Sequence, residues 1–528
     1  MRNFHFPGRS PVIGRKAMIA TSHPAATLAG IEMLRKGGNA VDAALTATAV
    51  MCVVEPAMTG IGGDCFALIS KPGAKPIALN ASGRAPKAAT AEWYARQGLK
   101  SIGMQTPHAV TVPGAIDGWA MLLADHGTKS FADVLAPAIE HAEQGFPVQA
   151  RVAYDWATLV DKIKSGNDGA RLHLLKDGGA PKAGQIMKFP ALANTLKQIA
   201  ARGRDGFYAG EVAEDIVAEM KALGGLHTME DFAVQKATYV DPISVRYKGI
   251  DLLELPPNNH GIVALVLLKM LEKLGPIGKA VSVERYHVMM EAVRLTFAMR
   301  DTFVADPVMA KVPVEHMLSD AFADALVRRI DRRARKADLG PIPKPAGTDT
   351  IYMTVADENG MVVSFINSVF SGFGSGLVTK KTGVVLQNRG QGFVLDPKHP
   401  NCIAPGKRPM HTLIPALAMQ DGKPWASFGV MGANFQPMGH VYVMSNMLDY
   451  GMDPQETLDS PRVFFEGQTL WAEESVPADV LDGLKALGHP VAVRPDPWGG
   501  GQIIKFDREN GTLIGASDSR KDGMAIGY

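Results

Sequence analysis

The sequence predicts an α+β chain, with helices dominating its middle and strands its two ends. Three observations point there. Apolar residues recur at helical spacing through most of 110–330. Short β-patterned segments lie before and after that stretch. The composition, 46% hydrophobic and 20% charged over 528 residues, is that of a globular chain able to bury a large core, as two to four domains or one large body.

Taken in order, 17–20 reads as a short strand. Ser22 or His23 can cap a helix over 24–35, where Pro24 suits the first helical position and Gly37-Gly38 ends it. Asn39 can cap the next helix, from Ala40 to about Val54, which is apolar on nearly every face and so expected to be buried. Gly60, Gly62 and Gly63 make a tight turn into a strand at 65–70, and 77–81 reads as another. Helices are expected at 115–125, 131–144, 215–223, 261–274 and 283–303. The run Arg328, Arg329, Arg332, Arg333, Arg335 and Lys336 reads as a solvated helix face. From Asp331 to Gly347 the chain is charged and Pro-rich, as in an exposed linker. Strands at 350–356 and 361–366 then flank Asp357-Glu358-Asn359-Gly360, a hairpin signal. Further strands are expected near 383–386 and 425–430, and a buried helix at 439–450.

The net charge of +2 gives no bulk electrostatic case for nucleic acid. Three widely spaced cysteines, Cys52, Cys65 and Cys402, predict neither a disulfide framework nor a metal site. Residues 1–17 hold no apolar stretch, and no run of about 18 apolar residues occurs. The expectation is a soluble, cytoplasmic chain without metal or cofactor.

An exposed linker running into a strand that opens with Thr has a chemical consequence. If the chain is cut before Thr350, the new α-amine lies within reach of the same residue's hydroxyl. Free α-amino groups titrate at about pH 8, so a useful fraction is neutral near neutrality. One residue then supplies both nucleophile and base. The plainer alternative is a strand-opening Thr with no chemistry.

Motifs across the chain decide between these. They are Gly37-Gly38-Asn39-Ala40-Val41-Asp42-Ala43-Ala44, Glu55-Pro56, Gly60-Ile61-Gly62-Gly63, Val112-Pro113-Gly114, Gln144-Gly145-Phe146-Pro147-Val148, Gly206-Phe207-Tyr208-Ala209-Gly210, Glu291-Ala292-Val293-Arg294, Ala516-Ser517-Asp518-Ser519-Arg520 and Gly527-Tyr528. Together, and in this order, they resemble the γ-glutamyltranspeptidase family of N-terminal nucleophile hydrolases. The resemblance implies a four-layer αββα sandwich. It also implies a proenzyme cut between Asp349 and Thr350 into a large chain, 1–349, and a small chain, 350–528, that stay together as a heterodimer. It places the nucleophile at Thr350, a second hydroxyl at Ser368 and the backbone oxyanion pair at Gly432 and Ala433, where the family has Gly-Gly.

The family's substrate pocket is altered. Its carboxylate-binding Arg falls on Ser82, with Arg84 two residues on, and its two serines fall on His411 and Thr412. The Asn, Gln and Asp that receive an α-amino group fall on Phe370, Arg389 and Gly392. Acceptors for an ammonium have gone while Arg84, Arg389, His411 and Thr412 remain. Such a pocket suits an anion without an α-amine. The look is that of the γ-glutamyltranspeptidase-like branch that includes oxamate amidohydrolase and has β-lactam side-chain acylases among its relatives. The expected substrate is a γ-glutamyl compound or another small carboxylate-bearing amide such as oxamate, cleaved by water or transferred to an amine. The alternative of another class is an uncleaved, non-catalytic binding protein.

Two other patterns carry less. Gly60-Ile61-Gly62-Gly63 and Gly372-Phe373-Gly374-Ser375-Gly376 lack the spacing and the Lys of phosphate cradles. His287, Glu291 and Arg294 share a helical face, where a structural Glu291–Arg294 pair is expected rather than a metal.

Overall fold

The computed structural model describes residues 8–275, 277–336, 350–496 and 498–528. Local chemistry starts its helices where the sequence places them. His23 Nδ1 accepts the Ala25 amide at 3.2 Å, so His23 rather than Ser22 caps the helix Pro24–Arg35. Asn39 and Asp42 exchange hydrogen bonds as a capping box at the start of Ala40–Val54, whose residues are all buried. Asp42 also receives the Thr128 and Lys129 amides, which satisfies its buried carboxylate.

The two largest sheets are antiparallel and seven-stranded. The first runs Met524–Gly527, Met18–Thr21, Ile351–Ala356, Val362–Ser368, Asp64–Ser70, Ile77–Ala81 and Thr238–Val240. The second runs Val12–Gly14, Thr512–Ser517, Gly500–Asp507, Lys423–Met431, Ala416–Gln420, Ile250–Glu254 and Ile243–Tyr247. Phe66, Tyr352, Ile366, Leu417 and Ile504 belong to a core that draws from both sheets. A second core joins the first sheet to the helices Pro24–Arg35, Ala40–Val54, Ala115–His126 and Phe131–Gln144. A third joins the second sheet to Gly261–Leu274, Val283–Phe303 and Gln436–Leu448.

The stretch expected to be mostly helical is interrupted by strands at Thr238–Val240, Ile243–Tyr247 and Ile250–Glu254. The period-two signal is present in Ile243-Ser-Val-Arg-Tyr247. It closes on Lys248-Gly249, both at positive φ, a two-residue turn without the usual Asn-Gly lettering. The arginine run is solvated but not helical. The helix Asp320–Val327 ends before it, and Arg328, Arg329, Arg332 and Arg333 lie in irregular chain at the surface. His287 bonds His489 Nε2 and the Asp331 carbonyl, both at 2.7 Å, and Glu291 pairs with Arg294 at 2.7 Å. Among the described residues no helix is long and apolar enough to cross a membrane. Asp349 and the rest of the expected linker from 337 lie outside the described residues.

Candidate active site

Hairpin register places the two hydroxyls of the candidate pair. Ile351 pairs with Asn367, so Thr350 falls opposite Ser368. Thr350 Oγ donates to Ser368 Oγ at 3.1 Å, and Ser368 Oγ accepts the Phe370 amide at 2.8 Å. Both residues are buried. The turn Gly60–Gly63 serves this pair rather than a phosphate. A Cβ on Gly63 would lie 2.2 Å from the Ser368 carbonyl oxygen, so only Gly fits there. Asn367 Nδ2 reaches Thr59 Oγ1 at 2.7 Å and fastens the same turn to the strand. If the chain cuts itself before Thr350, Ser368→Ala is expected to slow that cut about tenfold, the rate equivalent of losing one hydrogen bond of ~1.4 kcal/mol. Timed denaturing gels check this.

The strand Lys423–Met431 leads directly into Gly432 and Ala433, which have φ of +117° and +49°. The chain then turns into the helix Gln436–Leu448. Left-handed backbone costs a non-glycine residue roughly 1–2 kcal/mol. Ala433→Gly removes that cost at some loss of unfolded-state restriction, for a net gain of about 0.5–1 kcal/mol. A rise in the thermal unfolding midpoint is the expected readout. Arg300 Nη1 holds the next residue, donating to Asn434 Oδ1 at 2.6 Å.

Beyond Phe370 and Asn434 lies a cavity of about 430 Å³ whose wall includes Phe370, Arg389, Gly392, Thr412 and Asn434. Arg389 is its chemical centre. The guanidinium is buried, lies 4.0 Å from the Phe370 ring centroid, and donates through Nη1 to Thr412 Oγ1 at 2.7 Å. Its Nε and Nη2 have no hydrogen-bond partner among the described residues. Burial pulls its pKa down to about 9, against the attraction of Asp64.

Asp64 is the matching buried negative charge. Its Oδ1 accepts from the Gly83 and Gly114 amides and from Gln387 Nε2, at 2.8, 3.0 and 2.9 Å. Burial pushes its pKa up to about 6, offset in part by these donors and by Arg389. His411 Nε2 faces Asp64 Oδ2 at 3.1 Å, while His411 Nδ1 accepts the Leu413 amide at 3.3 Å. Burial first, then the charges of Arg389 and Arg408, keep this imidazole neutral. Both ring nitrogens of His411 are therefore engaged inside the protein. Arg84 is half-buried and donates from Nη1 to the Gly406 carbonyl at 3.0 Å, where it clasps a loop.

Thr350 itself opens on a smaller cavity of about 160 Å³, shared with Met431, Trp498 and Gly499 and with the charged Arg151, Asp155 and Lys521. Of the residues expected from sequence, Thr350 and Ser368 meet at one end of the hairpin, and Gly432 and Ala433 directly follow Met431, which lines the same small cavity as Thr350. Arg389 and Thr412 lie just beyond, in the larger cavity. Arg84 and His411 turn polar atoms to protein partners. The residue that sequence reasoning passed over is Asp64, although an acid between Gly63 and the apolar Cys65-Phe66-Ala67-Leu68 was a visible signal of a buried charge.

Comparisons with known proteins follow the same lines. The family model described as gamma-glutamyltranspeptidase matches residues 26–528. The glutathione hydrolase-like YwrD proenzyme of Bacillus subtilis is 37% identical, over 98% of this chain and 99% of that protein. The oxamate amidohydrolase proenzyme of Klebsiella pneumoniae is 35% identical over 98% and 99%. The crystal structure of cephalosporin acylase from Bacillus halodurans superposes with a TM-score of 0.92 and 38% identity, covering 100% of this chain and 99% of that one.

Proposed function

Because the chain belongs to the γ-glutamyltranspeptidase family, we propose that it is a self-cleaving amide hydrolase with Thr350 as nucleophile. Its preferred substrates are small amides whose acyl part carries a carboxylate and no α-ammonium. The observation that carries this reading is Arg389, a buried guanidinium with two N–H groups unpartnered among the described residues, on the wall of the 430 Å³ cavity that Phe370 also lines, Phe370 being the residue whose amide donates to Ser368 Oγ. A carboxylate offers two acceptors to such a fork. Beside Arg389 and Phe370 an ammonium would lack the acceptors it needs, the carboxylates of this wall being those of Asp301 and Asp396.

Two chains, 1–349 and 350–528, form a heterodimer in this reading, and the three stacked cores support the four-layer αββα arrangement. Thr350 Oγ attacks the amide carbon while its proton passes to the Thr350 α-amine, and that amine returns the proton to the leaving nitrogen. The Gly432 and Ala433 amides are the proposed donors to the tetrahedral oxyanion. Water then repeats the attack on the Thr350 ester and frees the acid. The relatives' names span glutathione hydrolase, oxamate amidohydrolase and acylase. A cavity of about 430 Å³ has the size of small-molecule sites generally (about 300–1,000 Å³), so acyl groups of several carbons fit as well as oxalyl.

The test has two stages. The denatured mass of incubated protein should resolve into two fragments, the smaller beginning at Thr350. Oxamate, glutaric acid monoamide, glutaryl 4-nitroanilide and γ-glutamyl 4-nitroanilide are then compared by release of ammonia or 4-nitroaniline. Glutaryl above γ-glutamyl in kcat/KM is the expected order, and the reverse order removes the claim about the α-ammonium.

A further inference from the structure

Trp498 holds a hydrogen-bond donor that the fold leaves unused beside the nucleophile. The residue is 6% exposed, and its indole Nε1 has no hydrogen-bond partner among the described residues. An indole N–H can only donate. A donor left buried and unmet is unfavourable, and a bound acceptor would relieve it.

Its location names the acceptor. A Cβ built on Gly432 would lie 2.9 Å from Trp498 Nε1, so the N–H edge of the indole faces the first residue of the Gly432–Ala433 step. Trp498 and Thr350 line the same cavity of about 160 Å³. The ring is fixed on several sides. The Arg494 guanidinium lies 3.9 Å from its centroid, Phe464 packs at 4.8 Å, and the Trp498 carbonyl accepts from Arg462 Nη1 at 2.7 Å. A donor held this firmly needs no reorganisation when charge appears in front of it, the property that makes oxyanion donors effective.

We propose that Trp498 is a catalytic residue whose indole N–H donates to the substrate oxyanion alongside the Gly432 and Ala433 backbone amides. The inference rests on the reading of Thr350 as nucleophile. As the Thr350 Oγ–carbon bond forms, the carbonyl π pair moves onto oxygen, and the Thr350 proton moves to the α-amine. The Trp498 N–H stabilises that oxygen until the carbonyl re-forms and the amine leaves with the proton. Two backbone donors and one side chain then share the developing charge. The same geometry makes Gly432 obligatory, since any side chain there would occupy the place of the indole edge.

The mature two-chain enzyme is tested with Trp498→Phe, which keeps a ring and removes the donor, and Trp498→His, which restores a ring N–H. Glutaric acid monoamide and glutaryl 4-nitroanilide serve as probes with unlike leaving groups. Trp498→Phe is expected to lower kcat about a hundredfold on both probes with little change in KM, and Trp498→His to recover part of the loss. A second measurement uses wild-type protein alone. 4-Boronobutanoate places boron where the acyl carbon of a glutaryl amide would stand, and its tetrahedral adduct on Thr350 should displace one of the six indole N–H resonances. An unchanged kcat in Trp498→Phe overturns the proposal. So does a loss confined to one leaving group, or an adduct that forms without moving any indole resonance. Wild-type protein that never cuts before Thr350, or turns over neither probe, instead brings down the underlying reading of the site.

Discussion

Thr350→Ala is expected to leave one uncut chain of 528 residues with no measurable amide hydrolysis. In the proposed reading the substitution removes the oxygen that attacks in both reactions. Removing a nucleophile that works as a unit with its base costs on the order of 10⁶ in rate elsewhere. Here the loss compounds, because without the cut there is no α-amine to act as base. Thr350→Ser keeps the hydroxyl and should still mature, more slowly for want of the methyl that fixes the rotamer. Intact-protein mass after timed incubation separates the three proteins. Cleavage before residue 350 in the Ala variant would refute the assignment outright.

Arg389→Leu should raise KM for a carboxylate-bearing amide by about a hundredfold, corresponding to ~3 kcal/mol, within the range for removing one member of a buried charge pair. Self-cleavage should proceed as in wild type, because Arg389 serves the larger cavity and not the Thr350–Ser368 contact. Stability should fall only modestly: Arg389→Leu takes away the charge that attracts Asp64, but Asp64 keeps three N–H donors and the His411 contact, and the guanidinium's two N–H groups without a partner among the described residues no longer have to be buried. Arg389→Lys should rescue little, since a point charge on a flexible stem does not reproduce the planar fork. Progress curves over substrate concentration and a thermal melt distinguish this outcome from simple damage. A melt lowered in step with activity would mean that Arg389 holds the fold and not the substrate.

The legible parts of the fold were those written in local chemistry. The helices Pro24–Arg35, Ala40–Val54, Phe131–Gln144, Gly261–Leu274 and Val283–Phe303 stand at the residues where caps and periodicity put them. The strands Ile243–Tyr247 and Ile250–Glu254 were hidden because their turn, Lys248-Gly249, does not advertise itself in letters. The strands Gly500–Asp507 and Thr512–Ser517, which pair within the second sheet, lie outside the strands the sequence predicts. For the site, motif order led to Thr350, Ser368, Gly432 and Ala433; hairpin register sets the first two opposite each other, and the last two follow Met431, which shares a cavity with Thr350. What one-dimensional reading could not supply was the disposition of polar atoms. Arg84, His411 and Arg389 look alike as donors in a sequence. Only packing reveals that the first two are occupied by Gly406, Asp64 and Leu413, while Arg389 keeps two N–H groups without a partner among the described residues.

The order of strands in the two sheets bears on the life history of the molecule. Met18–Thr21 lies between Met524–Gly527 and Ile351–Ala356, and Asp64–Ser70 pairs with Val362–Ser368. In the second sheet Val12–Gly14 pairs with Thr512–Ser517, and Ile250–Glu254 with Ala416–Gln420. Segments from either side of position 350 are therefore woven together, so a cut there severs the chain without freeing either piece. Dilution should not separate the fragments. Unfolding, by contrast, erases the history: a reaction that was once first-order becomes an encounter between two partners, each missing the neighbours its strands need. If Thr350 is freed by such a cut, it is freed only in a molecule already assembled, and a cut molecule that loses its shape has no easy way back.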